Sequence, residues 1–277
     1  MREYDIAFSM GFGCGCSQAL RAARLQYASY PMDWIGSPGV VQSAAMIAAD
    51  FRDWLVRDEM ELVDVRRGTG TINRAYANRR TGFVFGHDFH HDSDIGETYG
   101  AVVAKYDRRI ARLLESLRQA RRALAMFVEH PVRKRVPDED VLRAHQILAD
   151  KFSGVAIDLL YVYHTDGPAV PVETEIAPGV ITLGDAIRQL EYGLVSHTFD
   201  REGLIRYLVT HVRVPDMRTE EEKRRFAMAA EGKRNRRFGT GGALAYWWTK
   251  QQYRLHRKLE KKLREKGLLP IDRPFWF

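Results

Sequence analysis

With 277 residues, 45% hydrophobic and 29% charged, and a formal net charge of +7, the chain has the composition of a soluble globular protein, long enough for one large domain or two modest ones. No run approaches about 18 apolar residues, which excludes a transmembrane helix. Two cysteines one residue apart exclude a disulfide framework, because a Cys-x-Cys ring is too strained to serve as a structural staple. The opening stretch, Met1 to Asp5, lacks the apolar run of a secretory signal, so cytoplasm is the expected location.

In chain order, Tyr4 to Met10 reads as a strand that breaks into Gly11-Phe12-Gly13-Cys14-Gly15-Cys16 and continues as a helical pattern from Ser17 to Leu25. Both cysteines lie in this turn. Backbone N–H groups at a helix N-terminus carry partial positive charge and favour a thiolate beside them, while glycines leave room for a substrate to approach. The turn therefore points to a reactive cysteine. Ser29-Tyr30-Pro31-Met32-Asp33-Trp34-Ile35 reads as a Pro-fixed extended segment, followed by helical patterns over residues 39–57. A polar, Arg-rich loop is expected from Thr71 to Arg80. A short aromatic strand, Gly82 to Gly86, then delivers His87-Asp88-Phe89.

Residues 97–121 carry Val103, Tyr106, Ile110, Leu113, Leu114 and Leu117 at helical spacing on one face. Arg122 to Val128 reads as a buried strand ended by Glu129-His130-Pro131. Residues 141–152 read as a helix capped by Asp138 or Asp140. Val155 to Tyr163 is a second apolar strand, ending at His164. A Pro-rich link leads to a strand from Val180 to Thr182 and to helices near 184–194 and 201–210. This alternation predicts an α/β fold, a three-layer, mostly parallel open sheet with helices on both faces. In such sheets chemistry gathers at the carboxyl ends of the strands. Four ends qualify here: Gly11 to Cys16, His87-Asp88, Glu129-His130 and His164 to Asp166.

The charge is uneven: Arg218 to Lys266 holds 16 Lys/Arg against 6 Asp/Glu, leaving the rest slightly acidic. Tyr246, Leu255, Leu259 and Leu263 recur there at helical spacing, beside Trp247 and Trp248. The expected organisation is an α/β catalytic-type domain over 1–217 and a basic helical extension over 218–277 packed on it, with Gly239-Thr240-Gly241-Gly242 as a hinge. Such a segment could hold the protein at an anionic inner-membrane surface or on a polyanion, although a solvated helical face is the simpler reading. No specific nucleic-acid partner is implied.

The string Ser9-x-Gly11-x-x-Cys14, then Leu20-Arg21, then Ser29-Tyr30-Pro31-x-Asp33-Trp34, resembles a bacterial family of papain-like cysteine peptidases, DUF1796. His87-Asp88-Phe89, Tyr106-x-Arg108-Arg109-Ile110 and the strand ending Phe127-Val128 extend the resemblance over roughly residues 4–165. Met32 stands where the family usually has Phe. The spacing to Ser29-Tyr30-Pro31 places the family's cysteine on Cys14 rather than Cys16. The resemblance implies a cysteine-dependent hydrolase or group transferase. It also implies an alternative fold, a papain-like α+β arrangement with the nucleophile on a helix and the histidine on a separate antiparallel sheet. Relatives among glycan-assembly genes imply an alternative function, a glycosyltransferase or related enzyme of surface-polysaccharide assembly that binds a sugar nucleotide.

On the leading reading Cys14 is the nucleophile, His87 the general base and Asp88 the orienting acid. Gly11, Gly13 and Gly15 clear the approach, and the N–H groups of Gly13, Gly15 and Cys16 could hold an oxyanion. Cys16 is the fallback nucleophile or a resolving thiol. Asp33 and Trp34 could line the pocket, Arg108 and Arg109 could clamp a phosphate or carboxylate, and His164 is a reserve base. The bland alternatives are a packed cysteine, an aromatic anchor beside a helix cap, and solvated helix arginines.

The run from His87 to Asp94 offers three histidines and three aspartates, but adjacent side chains diverge on an extended chain, so no metal is expected, nor any other cofactor. The Gly-x-Gly-x-Gly run matches neither nucleotide-binding fingerprint. The substrate could be a peptide, an acyl compound or a glycan. A second alternative is a non-catalytic module that docks through its basic segment.

Overall fold

The computed structural model describes residues 1–67, 72–90, 95–130, 133–165, 171–185 and 202–224. They form β1 (Arg2–Glu3), β2 (Ile6–Ser9), α1 (Cys14–Ala22), β3 (Ile35–Gly36), α2 (Val40–Ala48), β4 (Met60–Arg67), β5 (Ile72–Asn78) and β6 (Val84–His90). There follow α3 (Ile95–Gln119), β7 (Arg122–Val128), α4 (Asp138–Lys151), β8 (Ala156–His164), β9 (Val172–Ala177), β10 (Val180–Asp185), α5 (Glu202–His211) and β11 (Val212–Arg213). The chain divides into two compact units, Met1–Leu190 with His197–Pro215, and Glu191–Ser196 with Asp216–Phe277. All the elements above belong to the first.

The main sheet runs β2-β7-β8-β10-β9. The first four strands are parallel, and β9 pairs antiparallel with β10 at the edge. The near-continuous apolar runs of β7 and β8 are what a strand covered on both faces requires. Alternation then divides each strand between two cores. Ile6, Phe8, Ala123, Ala125, Phe127, Ile157, Leu159 and Tyr161 face the side carrying α3 and α4, with Leu113, Leu117, Val141 and Leu148. Ala7, Leu124, Met126, Leu160, Val162, Ile181 and Leu183 face α1 and α5, through Cys16, Leu20, Leu204 and Leu208. Each fully buried Leu or Phe contributes roughly 1.5–3 kcal/mol. The expected open α/β sheet with helices on both faces is thus present, and its Pro-rich link contains the edge strand β9.

A second, antiparallel sheet, β3-β6-β5-β4, corrects the expected loop over Thr71 to Arg80. The polar composition of β5 misleads because its buried Asn78 is fully engaged. The Asn78 side chain donates to the carbonyls of Asp53 (2.9 Å) and Trp54 (3.3 Å), and accepts from the N–H groups of Arg80 (3.0 Å) and Thr81 (3.1 Å). Gly82, at φ +76°, closes the hairpin into β6. The helix expected over 39–57 ends at Ala48, where Asp50, Phe51 and Asp53 take left-handed φ values of 53°, 60° and 60°. That turn seats Trp54 among Phe51, Phe83, Phe85 and Tyr106. A cavity of about 210 Å³ lies there, between residues 51–56 and the α3 residues Val103, Tyr106, Asp107 and Ile110.

In the second unit, Asp216 and Arg218 form a two-pronged ion pair (2.8 and 2.9 Å). Thr219 and Glu222 exchange capping bonds of 3.2 and 2.8 Å at the start of a helical turn. The basic stretch beyond residue 224, the Gly239 to Gly242 hinge, most of the helix expected near 184–194, Asp166 and the His91 to Asp94 part of the metal run lie outside the described residues. Among the described residues, no helix is long and apolar enough to cross a membrane.

Candidate functional site

The Cys14 turn is held from two directions by main-chain bonds. Met10 N–H donates to Met126 O (2.8 Å), Phe12 N–H to Val128 O (3.1 Å), and Val128 N–H back to Gly11 O (3.1 Å), so the turn continues the β2–β7 ladder. Gly13 N–H then donates to Ile35 O (2.9 Å), tying the turn to β3. Gly11 (φ +101°) and Gly13 (φ +63°) adopt conformations that L side chains rarely take. A Cβ on Gly11 would also lie 3.0 Å from Ser37 Cβ.

This geometry separates the two thiols. Cys14 is the first residue of α1 and half-exposed. Cys16 is fully buried, and its Sγ donates to Met126 O (3.1 Å). It is therefore the structural thiol of the pair rather than a surface nucleophile. Gly13 N–H, expected to hold an oxyanion, is instead taken by Ile35 O, a correction to the sequence reading. The N–H groups of Cys14, Gly15 and Cys16 lie in the first helical turn, where no intrahelical acceptor exists.

Asp33 does not line a pocket. Its side chain is 0% exposed and accepts from Arg21 Nη2 (2.8 Å), Gln26 Nε2 (2.8 Å) and Tyr30 N–H (3.0 Å), while Ser17 Oγ donates to its carbonyl (2.8 Å). Burial pushes the Asp33 carboxyl above its ordinary range, and the Tyr30, Gln26 and Arg21 bonds oppose that push. Asp33 thus locks the 31–34 turn onto α1 and positions its neighbour. Trp34, half-buried, meets the His87 ring edge-on, with ring centroids 6.1 Å apart.

His87 and Asp88 lie within β6, not beyond its end, because pairing continues to Arg74↔Phe89 and Asn73↔His90. The register shifts between Arg74 and Tyr76, and a bulge of this kind re-aims side chains. His87 is exposed, whereas Asp88 is buried against α3. There Asp88 accepts from Tyr106 OH (2.8 Å) and from Lys105 Nζ. Burial first, and Asp88 second, push the Tyr106 hydroxyl well above its ordinary value. Asp88 is therefore the anchor of α3 and not the acid that orients His87, a second correction. Arg109 lies over the Tyr106 ring (5.5 Å) on that same α3 side, and Arg108 is exposed.

The strand adjacent to β2 supplies a second imidazole. His130 follows β7 and packs edge-on against Phe12, with centroids 4.7 Å apart. Burial, and then Arg133, push its pKa below the ordinary histidine value, which favours the neutral ring. Glu129 beside it is 2% exposed, accepting from His130 N–H (3.0 Å) and Tyr161 OH (3.1 Å). His164 ends β8, two strands from β2 and so about 10 Å across the sheet. Among the described residues no hydrogen bond joins Cys14 Sγ to an imidazole; such bonds often tighten only when substrate binds. Nor do three His, Cys, Asp or Glu side chains among them gather as a metal site.

A half-exposed cysteine opening a helix, at the carboxyl edge of a mostly parallel sheet and beside a separate antiparallel sheet bearing a histidine, defines a cysteine-bearing α/β protein. The chain belongs to the family described as "Putative papain-like cysteine peptidase (DUF1796)", whose model matches residues 5–167, more than half of the chain. That span takes in Cys14, His87, His130, Arg133 and His164. No curated protein and no solved structure matches the chain.

Proposed function

We propose that the chain is a cysteine-dependent acyl hydrolase or acyltransferase, with Cys14 as nucleophile and His87 as general base. The observation that carries the reading is the placement of Cys14: half-exposed at the first position of α1, while its neighbour Cys16 is buried and bonded. In the first step the thiol gives its proton to the imidazole and Sγ bonds to the acyl carbon. The bond to the leaving group breaks, and that group takes the proton from the imidazolium. In the second step the imidazole removes a proton from water or an acceptor, whose oxygen or nitrogen attacks the thioester and frees Cys14 as thiolate. The N–H groups of the first turn of α1 are suited to the oxyanion formed in each step.

A second reading makes His130 the base. It is favoured by the Phe12–His130 contact and by the burial that keeps this ring neutral. Site-resolved mass spectrometry of iodoacetamide labelling at pH 6.5 tests both. Cys14 is expected to react at least about tenfold faster than glutathione, as an activated thiol does, with Cys16 unlabelled. His87→Ala removes the advantage on the first reading, and His130→Ala does so on the second. Reaction of Cys14 at the glutathione rate, unchanged in both variants, would sink the proposal.

A further inference from the structure

Arg133 lies between β7 and α4, just beyond the His130 end of the strand that pairs with β2. Its guanidinium is held rather than left loose in solvent. Nη1 donates to Pro38 O (2.8 Å), Cζ sits 5.2 Å from the centre of the Phe12 ring, and the Arg133 N–H donates to His130 O (2.8 Å). These contacts tie Phe12, in the turn that leads into Cys14, to the stretch just after β3. Phe12 is two residues before Cys14, and Pro38 is three beyond Ile35, the acceptor of Gly13 N–H.

Among the described residues, the arginine's charge is only partly answered. Glu129 is their nearest carboxylate to it, with Oε1 4.0 Å from Nη1. Both Glu129 oxygens already accept other bonds, from His130 N–H and from Tyr161 OH. Asp138, the next acid along, pairs with Arg135 instead. Among the described residues, the Nε and Nη2 edge of Arg133 donates to nothing, and the side chain is 44% exposed. One guanidinium edge with two parallel N–H groups matches a planar carboxylate in a bidentate arrangement. Fixing the side chain beforehand lowers the entropy cost of forming that pair.

We propose that this edge of Arg133 receives a carboxylate on the substrate, so that the acyl compound handled at Cys14 carries a negative group close to the reacting carbonyl. The inference rests on the proposed role of Cys14 and names the substrate class of that site. The neighbouring Lys134, exposed on the same segment, adds to the positive field but is not gripped in this way.

Paired alkylating reagents read the effect without a known substrate. Iodoacetate and iodoacetamide form the same S–C bond at Cys14 with loss of iodide, and they differ in the carboxylate. The iodoacetate-to-iodoacetamide rate ratio at Cys14, divided by that of glutathione, is expected to be raised about tenfold, the scale of one charge-assisted contact. Arg133→Gln should return the ratio to the glutathione value, the iodoacetate rate falling about tenfold more than the iodoacetamide rate. A ratio that starts at the glutathione value, or that survives Arg133→Gln, overturns the proposal. An equal fall in both rates also overturns it, because Arg133 would then only shape the turn.

If Cys14 is inert to both reagents, the cysteine reading fails by itself, and carboxylate binding is read from thermal stability. Succinate should raise Tm in the full chain and not in Arg133→Gln. No rise, or a rise with inorganic phosphate alone, counts against a carboxylate site.

Discussion

At Gly13 the backbone stands at φ +63°, and a Cβ placed there would meet nothing within 4 Å. The cost of Gly13→Ala is therefore purely conformational, about 1–3 kcal/mol for an L residue at φ +63° and ψ −168°, a region essentially reserved for glycine. Gly11→Ala should cost more, since its φ of +101° is positive too and its Cβ would in addition press on Ser37. Urea unfolding with unchanged m should show this order; equal midpoints for the two variants would contradict the glycine argument. Of the site residues, Cys14 was legible because glycines, cysteine and a helical pattern follow a strand in a few consecutive positions. His130 was visible only as a strand end, because its nearness to Phe12 arises from the pairing of β2 with β7, whose sequences lie more than a hundred residues apart. Asp33 and Asp88 misled for a common reason. A carboxylate beside a candidate site looks functional in sequence, and only its donors, Arg21 and Gln26 in one case and Tyr106 and Lys105 in the other, reveal an anchor.

At the scale of elements, the short β1 pairs with β11 and is fastened by charge: Arg2 Nη2 donates to Glu173 Oε1 on β9 (2.5 Å), and Tyr207 OH on α5 donates to Glu173 Oε2 (2.7 Å). Burial pushes the Glu173 carboxyl up, but the Arg2 and Tyr207 bonds outweigh it and hold the carboxyl below its ordinary value. A carboxyl lowered in the folded state binds its proton less readily there than in the unfolded chain. The stability it contributes is present at neutral pH and is lost as pH falls through the ordinary glutamate range and the lower folded value. Glu173→Gln should therefore narrow the stability difference between pH 7 and pH 3. An acid limb of the same steepness in the variant would show that another group carries it. The parallel strands and α3 and α4 were legible because apolar periodicity announces them. β4, β5 and β9 were not, because their polar sequences are paid for in hydrogen bonds, as at Asn78, that hydropathy does not register.

For the whole molecule, charge is the feature that composition alone puts on view. The stretch from Arg218 to Lys266 carries 16 basic against 6 acidic residues, and we expect it to bind anionic surfaces. Co-sedimentation with phosphatidylserine vesicles should fall steeply between 50 and 300 mM salt, on the order of the screening expected for exposed charges, and should disappear when 218–277 are removed. Binding that is indifferent to salt, or that survives the deletion, would refute a role for the segment. The Cys14 turn, by contrast, is built from the 1–190 part of the chain.

By itself the sequence determined the α/β class, the strand–glycine–helix turn at Cys14 and the family, because each is written in residues close together along the chain. Tertiary structure alone decided which thiol is exposed, which carboxylates are anchors, and that His130 and Arg133 pack on Phe12, two residues before the cysteine. Those properties depend on strand order and register, which join residues distant in sequence through backbone bonds that carry no signature in the side chains they bring together.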